Sequence, residues 1–257
     1  MRTPSLAILL ALTLPFAATA AAESTPDRRR PLTDADAKAG RTPYLRECSR
    51  CHGERGDGAG PQARALDPRP RDFTQRLFKF RTTRTGQPPT TADVLRTIQH
   101  GVPGTAMLSF AFLPEEERKQ IAARVLEFAR LLDEPDPQPL GDPGASPPST
   151  PDTIARGRQV YNDAGCAGCH GADGKGDGES ALGLTDAAGH PIRPADFTAG
   201  VYRGGSDARD LYYRVATGVD GTPMPSYGDA LSPADLWAVV DYVRSLRAPP
   251  VAHRWPW

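Results

Sequence analysis

The sequence predicts an all-α protein made of two tandem repeats, and three observations support this prediction. The same short segments occur twice along the chain in the same order. Near the end of each copy, apolar residues recur at the i, i+3, i+4 spacing of one helix face. No segment shows the sustained apolar–polar alternation of a half-buried strand. A chain of 257 residues has room for two domains of about 100 residues each.

Three segments define the repeat: a Cys-x-x-Cys-His-Gly motif, an Asp-Phe-Thr motif and a Gly-Val-x-Gly-Thr-x-Met loop. They begin at Cys48, Asp72 and Gly101 in the first copy and at Cys166, Asp196 and Gly218 in the second. The methionine follows the second cysteine by 56 residues in one copy and by 55 in the other. This matched spacing indicates a duplication. We therefore place repeat 1 at residues 34–132 and repeat 2 at residues 153–247.

Helices are expected at corresponding places in the two repeats. A helix over 153–163 leads to the second cysteine motif, and its Gly157 and Tyr161 match Gly40 and Tyr44 of repeat 1. A shorter helix precedes each methionine loop, and a helix with an apolar face ends each repeat. These helices are predicted at 92–99 and 115–132 in repeat 1 and at 208–217 and 233–246 in repeat 2.

The segment between the repeats, residues 133–152, contains seven prolines in twenty positions. Such a composition favours a semi-extended polyproline conformation. We therefore expect a proline-rich linker between two domains. A linker of this kind leaves two arrangements open, one in which the domains touch and one in which it holds them apart.

Charge and hydropathy exclude a nucleic-acid-binding protein and a membrane bundle. The chain has 31 Lys and Arg against 31 Asp and Glu, and its mean hydropathy is −0.48. This balance hides an asymmetry, because residues 40–132 hold 16 basic and 10 acidic side chains whereas residues 153–246 hold 8 and 12. We expect the two domains to face partners of opposite charge, with neutral variation of the surface as the alternative.

The N-terminus has the features of a secretory signal peptide. A basic residue precedes an apolar run over 6–18, which Pro15 interrupts, and small residues follow. The run is too short for a comfortable membrane span. We expect residues 1–22 to be removed, with cleavage near Ala20 or Ala22, which leaves a periplasmic mature chain without a transmembrane segment. An uncleaved anchor is the alternative.

Cys-x-x-Cys-His is the attachment sequence for c-type haem. Two thiols about one helical turn apart add to the vinyl groups on one edge of a porphyrin, and the adjacent histidine becomes the proximal iron ligand. The predicted attachment sites of two haem c groups are Cys48, Cys51, Cys166 and Cys169, and the predicted proximal ligands are His52 and His170. A Cys₄ zinc site or a redox dithiol fits less well, because the pairs lie far apart and a histidine follows each.

The methionines predict the second axial ligand of each iron. Apart from Met1 the chain contains only Met107 and Met224, one in each Gly-Thr-x-Met loop. A methionine more often fills a gap in a core. Here, however, the residue is otherwise absent and occurs at matched points of the repeat. A thioether opposite an imidazole raises the reduction potential relative to two imidazoles.

Other polar residues near these motifs have weaker assignments. Arg69 and Arg193 precede the two Asp-Phe-Thr motifs and are candidates for contacts with haem propionates, with a surface role as the equal alternative. Asp72 and Asp196 are expected to cap turns. His100 has no counterpart in repeat 2, so we expect a helix-end residue, and less readily a replacement iron ligand.

With these residues the chain resembles the class I c-type cytochromes, in a tandem dihaem arrangement like that of cytochrome c4. The resemblance covers nearly the whole mature chain and rests on the two Cys-x-x-Cys-His motifs and the two methionine loops. It implies all-α domains of a few helices around haem, His/Met ligation of iron and a periplasmic electron-carrier role. The proline-rich linker and the basic segment 76–84 depart from the cytochrome c4 pattern.

The expected function is single-electron transfer from a dehydrogenase or quinol-oxidising complex to a terminal reductase or oxidase, without catalytic residues. The expected partners are a donor and an acceptor protein, and any association with a membrane complex is made through protein contacts. The first alternative is an electron-transfer subunit of a larger oxidoreductase. The second is a dihaem enzyme of the peroxidase kind with a labile methionine. A thiolate-ligated enzyme is excluded, because the two motifs use all four cysteines.

Overall fold

The computed structural model describes residues 31–247, so the expected signal peptide at 1–22 lies outside the described residues. Within that range the structure is helical, and its one β-bridge is isolated. The prediction of an all-α fold is confirmed. The α-helices are α1 (Asp34–Glu47), α2 (Ser49–His52), α3 (Thr91–His100) and α4 (Glu115–Phe128) in repeat 1, and α5 (Pro151–Asp163), α6 (Cys166–His170), α7 (Ala208–Thr217) and α8 (Pro233–Ser245) in repeat 2.

The helix ends follow local sequence signals. Thr33, Thr90 and Thr150 form capping boxes that begin α1, α3 and α5. Helix α4 is shorter than the predicted 115–132, because Ala129 caps it and Arg130 adopts a left-handed φ of 54°. A left-handed residue cannot continue an α-helix.

In each repeat the first helix crosses the last one at a glycine. A Cβ atom at Gly40 would lie 2.0 Å from the carbonyl oxygen of Gln120 on α4, and one at Gly157 would lie 2.0 Å from that of Ala238 on α8. Only glycine permits such a close approach of two helix backbones. The same crossing therefore sets the helix arrangement of both repeats.

Each crossing also positions the segment that follows the cysteine motif. The buried hydroxyl of Tyr44 on α1 donates a hydrogen bond of 2.8 Å to the carbonyl of Gly53, and Tyr161 on α5 makes the same bond to Gly171. These tyrosines belong to separate hydrophobic cores, one in each repeat. Almost fully buried apolar members include Tyr44, Ile121 and Ala122 in repeat 1 and Tyr161, Val239 and Val240 in repeat 2.

The linker runs along both repeats, and the repeats are in contact. The backbone N–H of Leu140 donates to the carbonyl of Thr82 in repeat 1 at 2.7 Å. The Leu140 side chain packs against the core of repeat 2, and the indole N–H of Trp237 donates to the carbonyl of Pro143 at 3.2 Å. Of the two arrangements that the linker allows, the structure shows the one in which the domains touch.

The contact between the repeats is partly symmetric. A Cβ atom at Gly104 would lie 2.9 Å from Val201, and one at Gly221 would lie 3.5 Å from Leu77. Gly104 and Gly221 occupy matched positions in the methionine loops, and Leu77 and Val201 each stand five residues after the aspartate of the Asp-Phe-Thr motif. Each repeat thus places an apolar side chain on the methionine loop of the other, as in a two-fold interface.

Charge complementarity adds to this contact. Three arginines of repeat 1 form ion pairs with three aspartates of repeat 2: Arg81 with Asp220, Arg84 with Asp229 and Arg96 with Asp210. Part of the charge difference between the repeats is therefore neutralised by ion pairs between them.

Candidate haem-binding sites

The cysteine motifs lie on short helices that follow the crossing helices. Cys48 caps α2 and Cys51 lies within it, while Cys166 and Cys169 lie within α6. Residues three apart share a helix face, so each pair presents two thiols side by side. All four are free and half-buried. Burial raises the pKa of Cys48 to about 12 and also raises that of Cys166. Neither is thus an activated thiolate of the redox kind.

Both motif histidines are held by one hydrogen bond of the same kind. The Nδ1 atom of His52 lies 2.9 Å from the carbonyl oxygen of Arg71, and that of His170 lies 3.2 Å from the carbonyl oxygen of Ala195. A carbonyl only accepts, so Nδ1 carries the proton and Nε2 keeps its lone pair for a metal. Burial lowers the pKa of both imidazoles, which favours the neutral form that binds iron.

The Asp-Phe-Thr motifs support these histidines. The His52 ring stacks on Phe73 with centroids 4.6 Å apart, and His170 stacks on Phe197 at 4.5 Å. In both motifs the aspartate accepts the N–H of the threonine two residues later at 2.9 Å, which confirms the predicted turn caps. This stacking is not among the contacts predicted from the sequence, although the recurrence of the motif was a signal for it.

The two methionine loops have the same internal hydrogen bonds. The N–H of Val102 donates to the carbonyl of Met107 at 2.8 Å, and that of Val219 donates to Met224 at 3.2 Å. The N–H of each methionine donates to the threonine hydroxyl of its loop, at 3.1 Å and 3.3 Å. The backbone of the methionine is therefore held by equivalent hydrogen bonds in both loops.

All of these elements meet around one cavity of about 1060 Å³. The predicted attachment and ligand residues that line it are Cys48, Cys51, His52 and Met107 from repeat 1 and Cys166, Cys169, His170 and Met224 from repeat 2. Its apolar walls include Phe78, Ile98 and Val125 from repeat 1 and Leu184, Tyr202 and Val240 from repeat 2. The cavity therefore brings each motif histidine and methionine to a common apolar space, as a porphyrin site requires.

Basic side chains in the cavity fit a group that carries carboxylates. Within residues 31–247, Arg71 and Lys79 line the cavity and form no ion pair, and Nε of Arg214 is buried without a hydrogen-bond partner. Burial lowers the pKa of Lys79 to about 8 and that of Arg214 to about 10. Cations in such positions are stabilised when an anion binds, and haem propionates are such anions. Arg69 and Arg193 also line the cavity but are exposed.

His100 ends α3 with an exposed side chain and does not line the cavity. Among the described residues, no three His, Cys, Asp or Glu side chains come together as a metal-binding cluster, so a Cys₄ zinc site has no counterpart there. In the same part of the chain, no helix is both long enough and apolar enough to cross a membrane.

The fold and the two sites define a dihaem c-type cytochrome, and comparison with known families agrees. Residues 154–247 match the cytochrome c family, and residues 35–123 match the family of cytochrome c oxidase, cbb3-type, subunit III. The chain belongs to the class I c-type cytochromes, which are electron carriers, and it carries two covalently bound haem c groups. These matches do not select the cytochrome c4 group within the class.

Curated relatives are subunits of cbb3-type cytochrome c oxidases. The chain is 28% identical over 162 residues to subunit FixP of Azorhizobium caulinodans and 27% identical over 220 residues to subunit CcoP of Azospirillum sp. (strain B510). These matches cover 61% and 80% of this chain. The chain spans 46% and 61% of the length of those two relatives.

A solved structure matches over more of its length. A chain in the reducing HAO-like protein complex of Kuenenia stuttgartiensis superposes with a TM-score of 0.79 and is 40% identical in sequence. The match covers 84% of this chain and 97% of that one.

Proposed function

We propose that this chain is the electron-transfer subunit of an oxidoreductase complex in the periplasm, with one haem c held by each repeat. Cys48, Cys51, Cys166 and Cys169 would hold the porphyrins through thioether bonds, and the iron ligands would be His52 with Met107 and His170 with Met224. The observation that supports the two haem sites is a cavity lined by both cysteine motifs and both methionine loops.

Haem iron, when bound, supplies a one-electron Fe(II)/Fe(III) couple. The chain supplies the surroundings. The carbonyls of Arg71 and Ala195 fix the tautomer and direction of each imidazole. The loop hydrogen bonds fix the backbone of each methionine, and apolar side chains line the cavity around the predicted ligands. Because these hydrogen bonds already hold both ligand sets, a change in the oxidation state of iron would require little rearrangement of the protein.

The proposed propionate contacts come from Arg71, Lys79 and Arg214 inside the cavity and from Arg69 and Arg193 at its edge. The inner three are favoured, because an exposed cation gains little from an ion pair whereas a buried unpaired one gains more.

The similarity to a chain of an HAO-like complex, which covers 97% of that chain at 40% identity, supports the subunit role. A protein of the HAO-like kind is therefore the first candidate for a redox partner. The matches to cbb3-type oxidase subunits also favour a subunit role, and they make a terminal oxidase the second candidate for a redox partner. The alternative function is a free carrier between a dehydrogenase or quinol-oxidising complex and a terminal oxidase or reductase.

Spectroscopy of the purified holoprotein tests the two sites. We expect two haems per chain, both low-spin in the ferric and ferrous states, with thioether-to-iron charge transfer in the ferric spectrum and no spectral change with carbon monoxide. A high-spin haem, or one that binds carbon monoxide readily, contradicts methionine ligation and favours the enzyme alternative.

Size measurement of the native protein tests the subunit role. We expect the chain, purified gently from its own cells, to sediment in a complex with a second polypeptide at fixed stoichiometry. Sedimentation of all of the chain as a monomer contradicts the subunit role and supports the free carrier.

A further inference from the structure

The symmetry of the contact between the repeats ends just beyond Leu77 and Val201. Leu77 and Val201 make equivalent contacts, but four residues further on repeat 1 has Arg81 where repeat 2 has Gly205. Repeat 1 then continues through an insertion before α3, whereas repeat 2 reaches α7 almost at once. Arg81 thus has no equivalent in the other half of the molecule.

Arg81 is fully buried, and three of its four hydrogen bonds reach repeat 2. Its side chain is 0% exposed, and it forms a two-pronged ion pair with Asp220, in which Nε donates at 2.6 Å. Its Nη2 also donates to the carbonyl of Thr217 at 3.2 Å, and its Nη1 donates to the carbonyl of Thr83. A guanidinium has five N–H donors in a fixed plane, so this set of acceptors specifies its position closely.

Both acceptors in repeat 2 belong to the segment that leads from α7 to Met224. Thr217 ends α7, and Asp220 stands four residues before Met224. The hydroxyl of Thr85 in repeat 1 donates to the same Thr217 carbonyl at 3.0 Å. The loop of repeat 2 is therefore tied to repeat 1 at its beginning and in its middle.

The methionine loop of repeat 1 lacks such an anchor. The residue that matches Asp220 is Pro103, which has no side-chain acceptor. Across residues 31–247, no side chain of repeat 2 forms a hydrogen bond or ion pair with the segment 101–107, which Val201 meets through an apolar contact only.

We propose that Arg81 is a positioning residue for Met224: repeat 1 holds the axial ligand of the haem in repeat 2. The proposal rests on the ligand role of Met224 in the proposed function. Asp220 is only 16% exposed, so loss of Arg81 leaves a partly buried carboxylate without its partner. The carboxylate then moves toward water, and the backbone of the methionine loop is displaced with it. This displacement weakens the bond between Met224 and iron.

The test compares Arg81→Gln with Arg84→Gln in the full holoprotein. Arg84 pairs with Asp229 across the same contact, but these side chains are 65% and 83% exposed, so R84Q removes an interdomain arginine outside the methionine loop. Imidazole is titrated into the ferric protein, since it competes with methionine for iron. We expect R81Q to raise the imidazole affinity of the haem in repeat 2 about tenfold, with R84Q and the haem in repeat 1 close to wild type.

The two haems are distinguished by proton NMR of the same ferric protein, in which each ligating methionine gives its own hyperfine-shifted methyl signal. Met224→His removes one signal and so assigns it. If M224H leaves both signals in place, Met224 is not a ligand and the proposed function fails at that site. If M224H removes a signal but R81Q has the imidazole affinity of R84Q, the positioning role alone is overturned.

A purely structural role of Arg81 makes a different prediction. If the role is purely structural, R81Q lowers the thermal midpoint and changes the imidazole affinity of both haems equally. That result also overturns the proposal. If R81Q does not fold, the same tenfold criterion applies to Asp220→Asn, and the double variant R81Q/D220N, which leaves no unpaired charge, serves as its comparison. A neutral amide pair holds the loop less firmly than the ion pair, so the double variant is expected between wild type and D220N.

Discussion

Repeat 1 and repeat 2 hold their histidines and methionines by the same contacts, yet the two halves differ in what surrounds those contacts. The imidazole hydrogen bond, the phenylalanine stack, the tyrosine hydroxyl and the loop hydrogen bonds all occur twice. The anchor from Arg81 occurs once. The contacts that hold the predicted ligands thus occur in both copies, whereas the anchor from Arg81 lies where the repeats meet.

The ion pairs between the repeats account for part of the charge asymmetry seen in the sequence. Without the three ion pairs between the repeats, repeat 1 keeps 13 basic against 10 acidic side chains, and repeat 2 keeps 8 against 9. Much of the difference thus stabilises the contact between the repeats. The remaining charge leaves a weaker electrostatic basis for opposite partners than the sequence totals indicate.

The largest expected effect comes from removing one haem at a time. Cys166→Ser with Cys169→Ser, and Cys48→Ser with Cys51→Ser, should each leave about one haem per chain, because each pair attaches one porphyrin. Haem content is measured against protein concentration. We expect the surviving haem of repeat 2 to bind imidazole more tightly than in wild type, since a disturbed repeat 1 releases Arg81, and the surviving haem of repeat 1 to change little. Equal changes in both variants contradict the one-sided anchor.

Gly40→Ala and Gly157→Ala test whether the helix crossing is equally important in both repeats. A Cβ atom at either position meets a backbone carbonyl at 2.0 Å, so each variant should lose about 3 kcal/mol of the free energy of unfolding. Chemical denaturation followed by haem absorbance measures the loss. Gly141→Ala is the control, because a Cβ atom there has no neighbour within 4 Å. A loss at Gly40 or Gly157 no larger than that of the control contradicts the crossing.

Much of the fold and of the candidate site could be predicted from the sequence, because the segments that recur in both repeats mark the residues of the site. The spacing of Cys-x-x-Cys-His and the matched methionines indicated the residues that line the cavity, and helix periodicity located α4 and α8. The left-handed residue Arg130, which ends α4, carries no glycine or proline signal. The contacts of Arg81 join residues 139 positions apart, and no local pattern specifies such a pair.

Tyr44→Phe and Tyr161→Phe should have smaller and equal effects. Each variant leaves one buried carbonyl, of Gly53 or Gly171, without its donor, at a cost of about 1 kcal/mol in the free energy of unfolding. Tyr213→Phe is the control, since its hydroxyl is exposed and lies 3.5 Å from its acceptor. A difference of more than about 1 kcal/mol between Y44F and Y161F shows that the symmetry of these contacts does not extend to their energies.

The smallest effect is expected for Arg84→Gln on stability. Arg84 and Asp229 are both mostly exposed, and exposed ion pairs contribute about 0.5 kcal/mol or less, which salt screens further. Denaturation at low and at high ionic strength measures this contribution. Because the side chains of the Arg81–Asp220 pair are 0% and 16% exposed, R81Q should remain destabilising at high salt while the effect of R84Q disappears. If salt abolishes both effects, water reaches the Arg81 pair, and the one-sided anchor loses its physical basis.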